Sequence, residues 1–451
     1  MSNSNIRAKA ADSMDLLQFL HVNKQNYLRD VSNGKGRDWI VVMGNEAGGK
    51  HATLDIVSTA DITPCLDLDS IASSIAYSWY SSTVRNSPTV ALIQTPRQDL
   101  KLRAENLYAF ELARFEQDYK CLLCIDDIPT TYSRPFPSNQ FALVDHNRLI
   151  SRFSEENDGV RVVAVVDHHE DEGLYTDTAD PRIVQVPTGS CTSLVARLLQ
   201  QSVPGGRIPE GVATLLLCGI LIDTGGLKAG GKAEVVDRES ARFLVPQVNL
   251  PSYGTLFHPD SNVPSPESSK AIQDLTQQLF DKKSAVSHLS SIDLLKRDYK
   301  EYTFECSWIP SKTTIKVGLS TVPLSLKVWM PKEGQKFWSS AEEYMVDRHL
   351  TVLGMLTSFQ TKKAKHKRQV LFIVRPEAAE RDTNGLQERL WSGLEGSKEL
   401  DLKERSFSKF SGEPADAKLE SINMKVYKQG NSKLTRKFIA PLVKGMIEGK
   451  E

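Results

Sequence analysis

Residues 161–172, RVVAVVDHHEDE, are the stretch on which the reading of this chain turns. An apolar run at 162–166 stops abruptly at Asp167-His168-His169-Glu170-Asp171-Glu172. A short apolar run bounded by charge reads as a buried strand. In an open α/β sheet the chemistry gathers outside the carboxyl ends of the strands. Two imidazoles and a carboxylate at such an end point to a metal site or an acid–base site. The competing reading, from this stretch alone, is a surface histidine pair among charged residues.

Working outward, the same pattern recurs. A strand at 39–43 ends in Gly44-Asn45-Glu46. A strand at 141–144 ends in Asp145-His146-Asn147. The apolar run 214–222, TLLLCGILI, ends in Asp223-Thr224, and periodicity alone leaves it open between helix and strand. Further strands are expected at 89–94 and 121–125, and helices at 12–27, 67–77, 100–115 and 192–201. One acidic strand end means little. Four of them, among alternating strands and helices, suggest polar groups converging on one edge of a parallel sheet. That favours the metal site over the surface pair. The expected fold is therefore α/β, with a parallel, Rossmann-like N-terminal domain.

The chain has 451 residues, more than one ordinary core. A Pro- and Ser-rich stretch, SNVPSPESSK at 261–270, reads as a linker between a first domain at 12–260 and a second at 271–451. The second domain reads as α+β. It is expected to hold a helix at 271–281, strands at 313–319 and 325–329, a helix at 341–358 and a strand at 370–374. Its basic clusters are 296–300 (KRDYK), 362–368 (KKAKHKR) and 435–437 (TRK). The middle cluster reads as a solvated loop, too far out to touch substrate.

Lys+Arg and Asp+Glu both number 56, so overall charge gives no pointer to nucleic acid. No apolar run is long enough for a membrane span, and the N-terminus lacks the apolar core of a secretion signal. With six scattered cysteines, a cytoplasmic protein is expected. Cys121 and Cys124 form a lone CxxC spacing in apolar surroundings and are expected to be core residues rather than zinc ligands. Carboxylates with imidazole suit Mn²⁺, Mg²⁺ or Co²⁺ better than a thiolate-built zinc site. Several aspartates carry more negative charge than one divalent ion offsets, so two ions are expected. An acidic metal cluster with basic groups in a second domain suits hydrolysis of a phosphate ester or phosphoanhydride. A nuclease is less favoured, because no aromatic-and-basic stripe is evident.

These residues resemble a known family. Asp167-His168-His169 is similar to the signature of the DHH phosphoesterases, and 44–46, 67–70, 143–147 and 219–224 resemble its other metal motifs. The stretch LKRDYK at 295–300 and Thr435-Arg436-Lys437 resemble the second domain of the branch that holds manganese-dependent pyrophosphatases, prune proteins and fungal exopolyphosphatases. The resemblance runs from about residue 39 to 446. It implies that Asp67, Asp69, Asp145, His168 and Asp223 hold two metal ions, with Asp145 and Asp223 as bridges. It implies that His169 contacts phosphate or protonates the leaving group, with Asp167 as its support. Arg297, Lys300, Arg436 and Lys437 would bind phosphates. His146 would contact phosphate or hold another ligand in orientation. Asn45 stands where the pyrophosphatases carry His, which resembles the exopolyphosphatase branch, and would hold water or phosphate. The implied activity is hydrolysis of the terminal phosphoanhydride of inorganic polyphosphate by a monomer that has no nucleic-acid or membrane partner. The alternatives are an inorganic pyrophosphatase, a prune-like enzyme acting on short polyphosphates or cyclic nucleotides, and a catalytically inactive scaffold.

One departure stands out. Residues 49–66, GKHATLDIVSTADITPCL, interrupt the metal motif between Asn45 and Asp67. Removing them leaves GNEAGDLDSIASS and restores the family's spacing of Asn, three residues, Asp, one residue, Asp. Gly49-Lys50 can be encoded by a splice-donor sequence, so the segment reads as a retained short intron or a gene-model error.

Overall fold

In the computed structural model of the chain, the described residues are 15–45, 65–129, 135–249, 266–306, 308, 314–361, 363, 365–375, 383–406, 410 and 423–449. They form two compact units, one running to Ala285 and the other starting at Val286. The expected insertion lies outside the described residues except for Cys65 and Leu66.

Short, β-branched apolar runs form the sheet of the first unit: β1 (Ile40–Met43), β2 (Thr89–Ile93), β3 (Leu123–Cys124), β4 (Gln140–Val144), β5 (Arg161–Asp167) and β6 (Arg182–Val184). They lie in the order β3-β2-β1-β4-β5-β6, and every pairing is parallel. The order reverses between β1 and β4, which makes their carboxyl ends the switch point of a doubly wound fold. The helices are α1 (Leu16–Ser32), α2 (Leu68–Thr83), α3 (Ala104–Leu112), α4 (Cys191–Ser202), α5 (Glu210–Thr224), α6 (Val235–Leu244) and α7 (Lys270–Ser284).

Strand alternation divides the core between the two faces of the sheet. Val42, Ala91, Ile93, Ala142, Val144 and Val166 pack with α2, α4 and α5. Val41, Met43, Val90, Leu92, Leu143 and Val165 pack with Tyr27 and Val31 of α1. The ambiguous run at 214–222 belongs to α5, a helix in which every residue from 211 to 222 is buried. A helix with no polar face must lie inside the protein. Gly225, at φ 67°, stops it in the left-handed region.

The expected boundary at 261–270 shifts. Ile272, Leu275 and Leu279 of α7 belong to the first unit's core, so that unit continues to Ala285. Cys124 is buried and Cys121 partly so. Burial pushes both thiols up, to about 12 and about 11. Among the described residues, no helix is long and apolar enough to cross a membrane.

The second unit contains α8 (Ser291–Arg297), β7 (Tyr299–Glu305), β8 (Thr314–Val322), α9 (Leu326–Glu333), α10 (Lys336–Asp347), β9 (Val352–Gln360), β10 (His366–Val374), α11 (Thr383–Gly396), β11 (Leu402–Glu404), β12 (Asn423–Gln429) and α12 (Arg436–Glu448). Its mixed sheet runs β11-β12-β10-β9-β8-β7. Only β8 and β9 pair in parallel. Two expectations fail here. Residues 325–329 begin a helix, because Leu326, Trp329 and Met330 bury one helical stripe. The helix expected at 341–358 ends at Asp347, and His349 takes a φ of 54° before 352–356 run buried along β9.

Candidate metal centre

The switch point collects side chains from several elements of the first unit. After β4 the chain turns at Asp145 with φ 64°, a left-handed conformation that aspartate tolerates better than most residues. After β1, Gly44 approaches α2 so closely that a Cβ on it would lie 2.7 Å from the Cβ of Ser70. Asp67 is the N-cap of α2 and accepts the backbone N–H of Ser70 at 3.0 Å. Asp69 sits in the first turn of the same helix and is 1% exposed. Helix N-termini leave N–H groups without intrahelical partners and carry partial positive charge, so carboxylates gather there. Asp69 also bridges to the start of α4. Its Oδ1 accepts from Ser190 Oγ and from Thr192 N, both at 2.7 Å, and its Oδ2 accepts from Cys191 N at 2.8 Å.

The histidines are oriented by their neighbours. Thr188 O, 3.1 Å from His168 Nδ1, can only accept, so Nδ1 carries a proton. Nε2 of His168 then faces Asp145 Oδ1 at 3.1 Å and Asp69 Oδ2 at 3.7 Å. His169 Nδ1 lies 2.8 Å from Asp167 Oδ1. Burial alone would raise the Asp167 carboxyl, but His169 and Asn147 outweigh it and hold it below the usual range. It is therefore the acceptor, and Nε2 of His169 is left as that ring's reactive nitrogen. His146 Nδ1 is 2.9 Å from Val144 O, which orients its ring in the same way.

The electrostatics call for a cation. Burial, with Asp69 next to it, drives the Asp145 carboxyl well above the usual carboxylate range. Asp223, one residue from the end of α5, is raised by burial and then by Asp69 and Asp67. Burial alone would lower His168, but its hydrogen bond to the Asp145 carboxylate and the charge of Asp69 lift it to about 10. Ligand atoms of Asp145, His168 and His169 lie within 4.8 Å of one another. Crowded, buried carboxylates, together with an imidazole whose Nε2 points among them, fit an oxygen-preferring divalent ion.

Several supporting residues were not singled out from the sequence. Ser70 Oγ donates to Asp145 Oδ2 at 2.6 Å. Asn147 Nδ2 donates to Asp167 Oδ2 at 2.6 Å; its place beside Asp145-His146 was the one available signal. Asp237 is fully buried on α6 and had no sequence signal. It accepts from Gly189 N at 2.9 Å, Glu234 N at 2.7 Å and Ser193 Oγ at 2.5 Å. It thereby clamps the turn that bonds Asp69 and His168. Asn45 lies at this edge, where its carbonyl accepts from Ser70 Oγ at 3.2 Å.

In the second unit, Lys300 of β7 pairs in register with Leu319. Arg436 of α12 donates to Leu319 O at 3.2 Å, so these two residues share one locality. Arg436 is 8% exposed, and its guanidinium donates to Asp298, at 2.7 Å to both the carboxylate and the carbonyl. Lys437 is exposed in the first turn of α12, and Arg297 is buried at the end of α8.

Fold and site together define a two-unit α/β protein with a carboxylate–imidazole centre at the switch point of a parallel sheet. The chain carries two family domains: the model of the DHH family, N-terminal domain, matches residues 56–220, and that of the DHHA2 domain matches residues 277–446. A Schizosaccharomyces pombe protein named "Putative exopolyphosphatase" is 33% identical over 246 residues, or 52% of this chain. The match spans 58% of that relative's length. Mouse "Exopolyphosphatase PRUNE1" is 23% identical over 93% of this chain and 78% of its own length. Among solved structures, a Methanococcus jannaschii "putative family II inorganic pyrophosphatase" aligns with a TM-score of 0.48 at 17% identity, covering 85% of this chain and 96% of that one.

Proposed function

We propose that the chain is a divalent-metal-dependent exopolyphosphatase that hydrolyses the terminal phosphoanhydride of inorganic polyphosphate and releases orthophosphate. The observation that carries this reading is the gathering of Asp69, Asp145, His168 and His169 at the switch point of a chain with both DHH and DHHA2 domains. The name of the S. pombe relative supports the choice of substrate.

Asp67, Asp69, Asp145, His168 and Asp223 would hold two ions, Mn²⁺ or Mg²⁺, with Co²⁺ as a further candidate. Bound there, the ions supply an activated water and draw charge from the phosphoryl oxygens. The remaining chemistry belongs to the chain. His169, its Nδ1–H held by Asp167, meets phosphate or, when Nε2 also carries a proton, passes that proton to the leaving oxygen. Asn45 and His146 border the same edge and orient phosphate or water. Lys300 and Lys437, with Arg297 behind them, hold the remaining phosphates, and Arg436 acts on them through Asp298. The protein works as a cytoplasmic monomer in this reading, without nucleic-acid or membrane partners.

The test is phosphate release from pyrophosphate, tripolyphosphate, long-chain polyphosphate and cyclic AMP, each with Mn²⁺, Mg²⁺ and Co²⁺ in turn. Long-chain polyphosphate is expected to have the highest kcat/KM. Preference for pyrophosphate or cyclic AMP overturns the assignment, and no turnover on any substrate means an inactive scaffold.

A further inference from the structure

Side chains that follow the two neighbours of β1 meet at its carboxyl end. Met43 lies opposite Leu92 in the parallel register, so Gly44 and Gln94 stand just past the ends of β1 and β2. Gln94 is fully buried. Its Nε2 donates to Gly44 O at 2.8 Å, and its Oε1 accepts from Arg152 Nη2 at 2.5 Å. The amide can face only this way, because a carbonyl only accepts and a guanidinium only donates. Arg152 lies in a single helical turn, Ser151–Ser154, that follows β4. In the sheet β1 lies between β4 and β2, so the Arg152–Gln94 bond crosses the end of β1 beside the switch point.

Gly44 has no side chain to hold it, and glycine is the freest residue in its backbone torsions. Nor is there room for one: an added Cβ would lie 2.8 Å from Ser70 O. The carbonyl of Gly44 is held instead by Gln94. The peptide so held leads directly to Asn45, whose own carbonyl lies 3.2 Å from Ser70 Oγ. The same Oγ lies 2.6 Å from Asp145 Oδ2. A hydroxyl has one proton to donate, so Asn45 O and Asp145 share it. The position of the Gly44–Asn45 backbone thus governs how Ser70 holds the Asp145 carboxylate. The path is closed. It leaves the segment after β4 at Arg152, passes through Gln94, Gly44, Asn45 and Ser70, and returns to that segment at Asp145.

We propose that Gln94, oriented by Arg152, is a positioning residue for the metal centre. It fixes the Gly44–Asn45 peptide so that Ser70 holds Asp145 in the direction a metal ion requires. The proposal rests on the reading of these carboxylates as a metal centre and is independent of the substrate. Groups that orient a ligand from behind typically change metal affinity by about 10–100-fold.

The test is calorimetric titration of the full chain with Mn²⁺, alongside thermal melting without metal. The variants are Gln94→Met, Ser70→Ala, the two combined, Arg152→Met and Arg152→Lys. Gln94→Met should bind Mn²⁺ about tenfold more weakly. It also leaves Gly44 O without its buried donor, so its melting temperature should fall whether or not the relay exists. The combined variant separates the two effects. Residues on one path are not additive, so Gln94→Met should weaken Mn²⁺ binding little further once Ser70→Ala is present. Arg152→Met should lose affinity in the same direction by a smaller factor. Arg152→Lys keeps a donor for the single bond to Oε1 and should restore it. Native affinity in Gln94→Met or in Ser70→Ala overturns the relay, and so do losses that multiply in the combined variant. If Gln94→Met does not melt cooperatively, the Arg152 pair decides: loss in Met with recovery in Lys supports the relay, and native affinity in both overturns it. A native chain that binds no Mn²⁺ overturns the metal centre and the relay together, whereas an unexpected substrate preference overturns only the exopolyphosphatase reading.

Discussion

Asp237→Asn tests whether the metal centre depends on a clamp outside it. The native carboxylate accepts two backbone N–H groups on Oδ2 and a serine hydroxyl on Oδ1, with no exposure to solvent. In the best case the asparagine oxygen takes the Oδ2 position and keeps both N–H bonds, while its amide faces Ser193 Oγ, which can rotate to accept. What is lost is the charge. Bonds to charged groups contribute about 1.5–3 kcal/mol and neutral ones about 0.5–1.5 kcal/mol, so two weakened bonds cost about 2–3 kcal/mol. For a unit of this size that lowers Tm by about 4–12 °C. The turn it holds bonds Asp69 and His168, so affinity for Mn²⁺ should fall by about tenfold or more, as for other residues that orient ligands. Calorimetric melting and Mn²⁺ titration on the same sample read both effects. A Tm within 1 °C of native with unchanged Mn²⁺ affinity refutes the clamp.

Asp145→Asn/Asp223→Asn should abolish Mn²⁺ binding in a titration while leaving the circular dichroism native, because asparagine tolerates the left-handed backbone at 145. Retained binding removes these residues from the ligand set. In the metal-free chain His168 is held charged to about 10, above the unfolded value of about 6.5. Its contribution to stability is therefore complete below pH 6.5 and is lost as pH rises towards 10. Metal-free Tm should fall across that window, more weakly in His168→Asn, while metal affinity rises as the competing proton leaves; equal pH slopes would exclude His168. Arg436→Met removes a paired, buried guanidinium and should destabilise the second unit by about 2–3 kcal/mol in urea unfolding, discounted for the partial exposure of Asp298. An unchanged midpoint means the pair is dispensable. A chain lacking 49–64, which keeps the buried Cys65 and Leu66, should release phosphate faster than the full chain, and equal rates would mean that the insertion is harmless.

The first unit was readable because its strands end in unusual chemistry. Apolar runs that stop at Asp145, Asp167 and Asn45 gave the sheet, its polar edge and most of the centre at once. The run ending in Asp223 was different, since only its length and complete burial distinguish a core helix from a strand. Asp237 could not be found from sequence: it lies 48 residues from Gly189 and meets it only through the packing of α6 on α4. The second unit was read less well, because 325–329 and 352–356 carry similar apolar content and take opposite structures. Tertiary packing decides such segments, and local pattern does not. The insertion boundary also needed the fold. Leu66 is fully buried, its N–H donating to Thr95 Oγ1 and its carbonyl accepting from Asn106, so the last residues of the interrupting stretch are built into the core.

The placement of Asp223 has a consequence for regulation. Asp67 and Asp69 lie at the positive end of α2, but Asp223 lies at the negative end of α5, whose residues from 211 to 222 are all buried. Without a cation, α5 ends in a charge that its own backbone opposes. The cell's free divalent-metal level should then govern how much folded protein there is as well as how fast it works: at a concentration about 100 times Kd, a ligand that binds only the folded chain adds about 2.7 kcal/mol. Metal starvation would thus lower the abundance of the protein through turnover of unfolded chains, before any change in its catalytic constants could be measured.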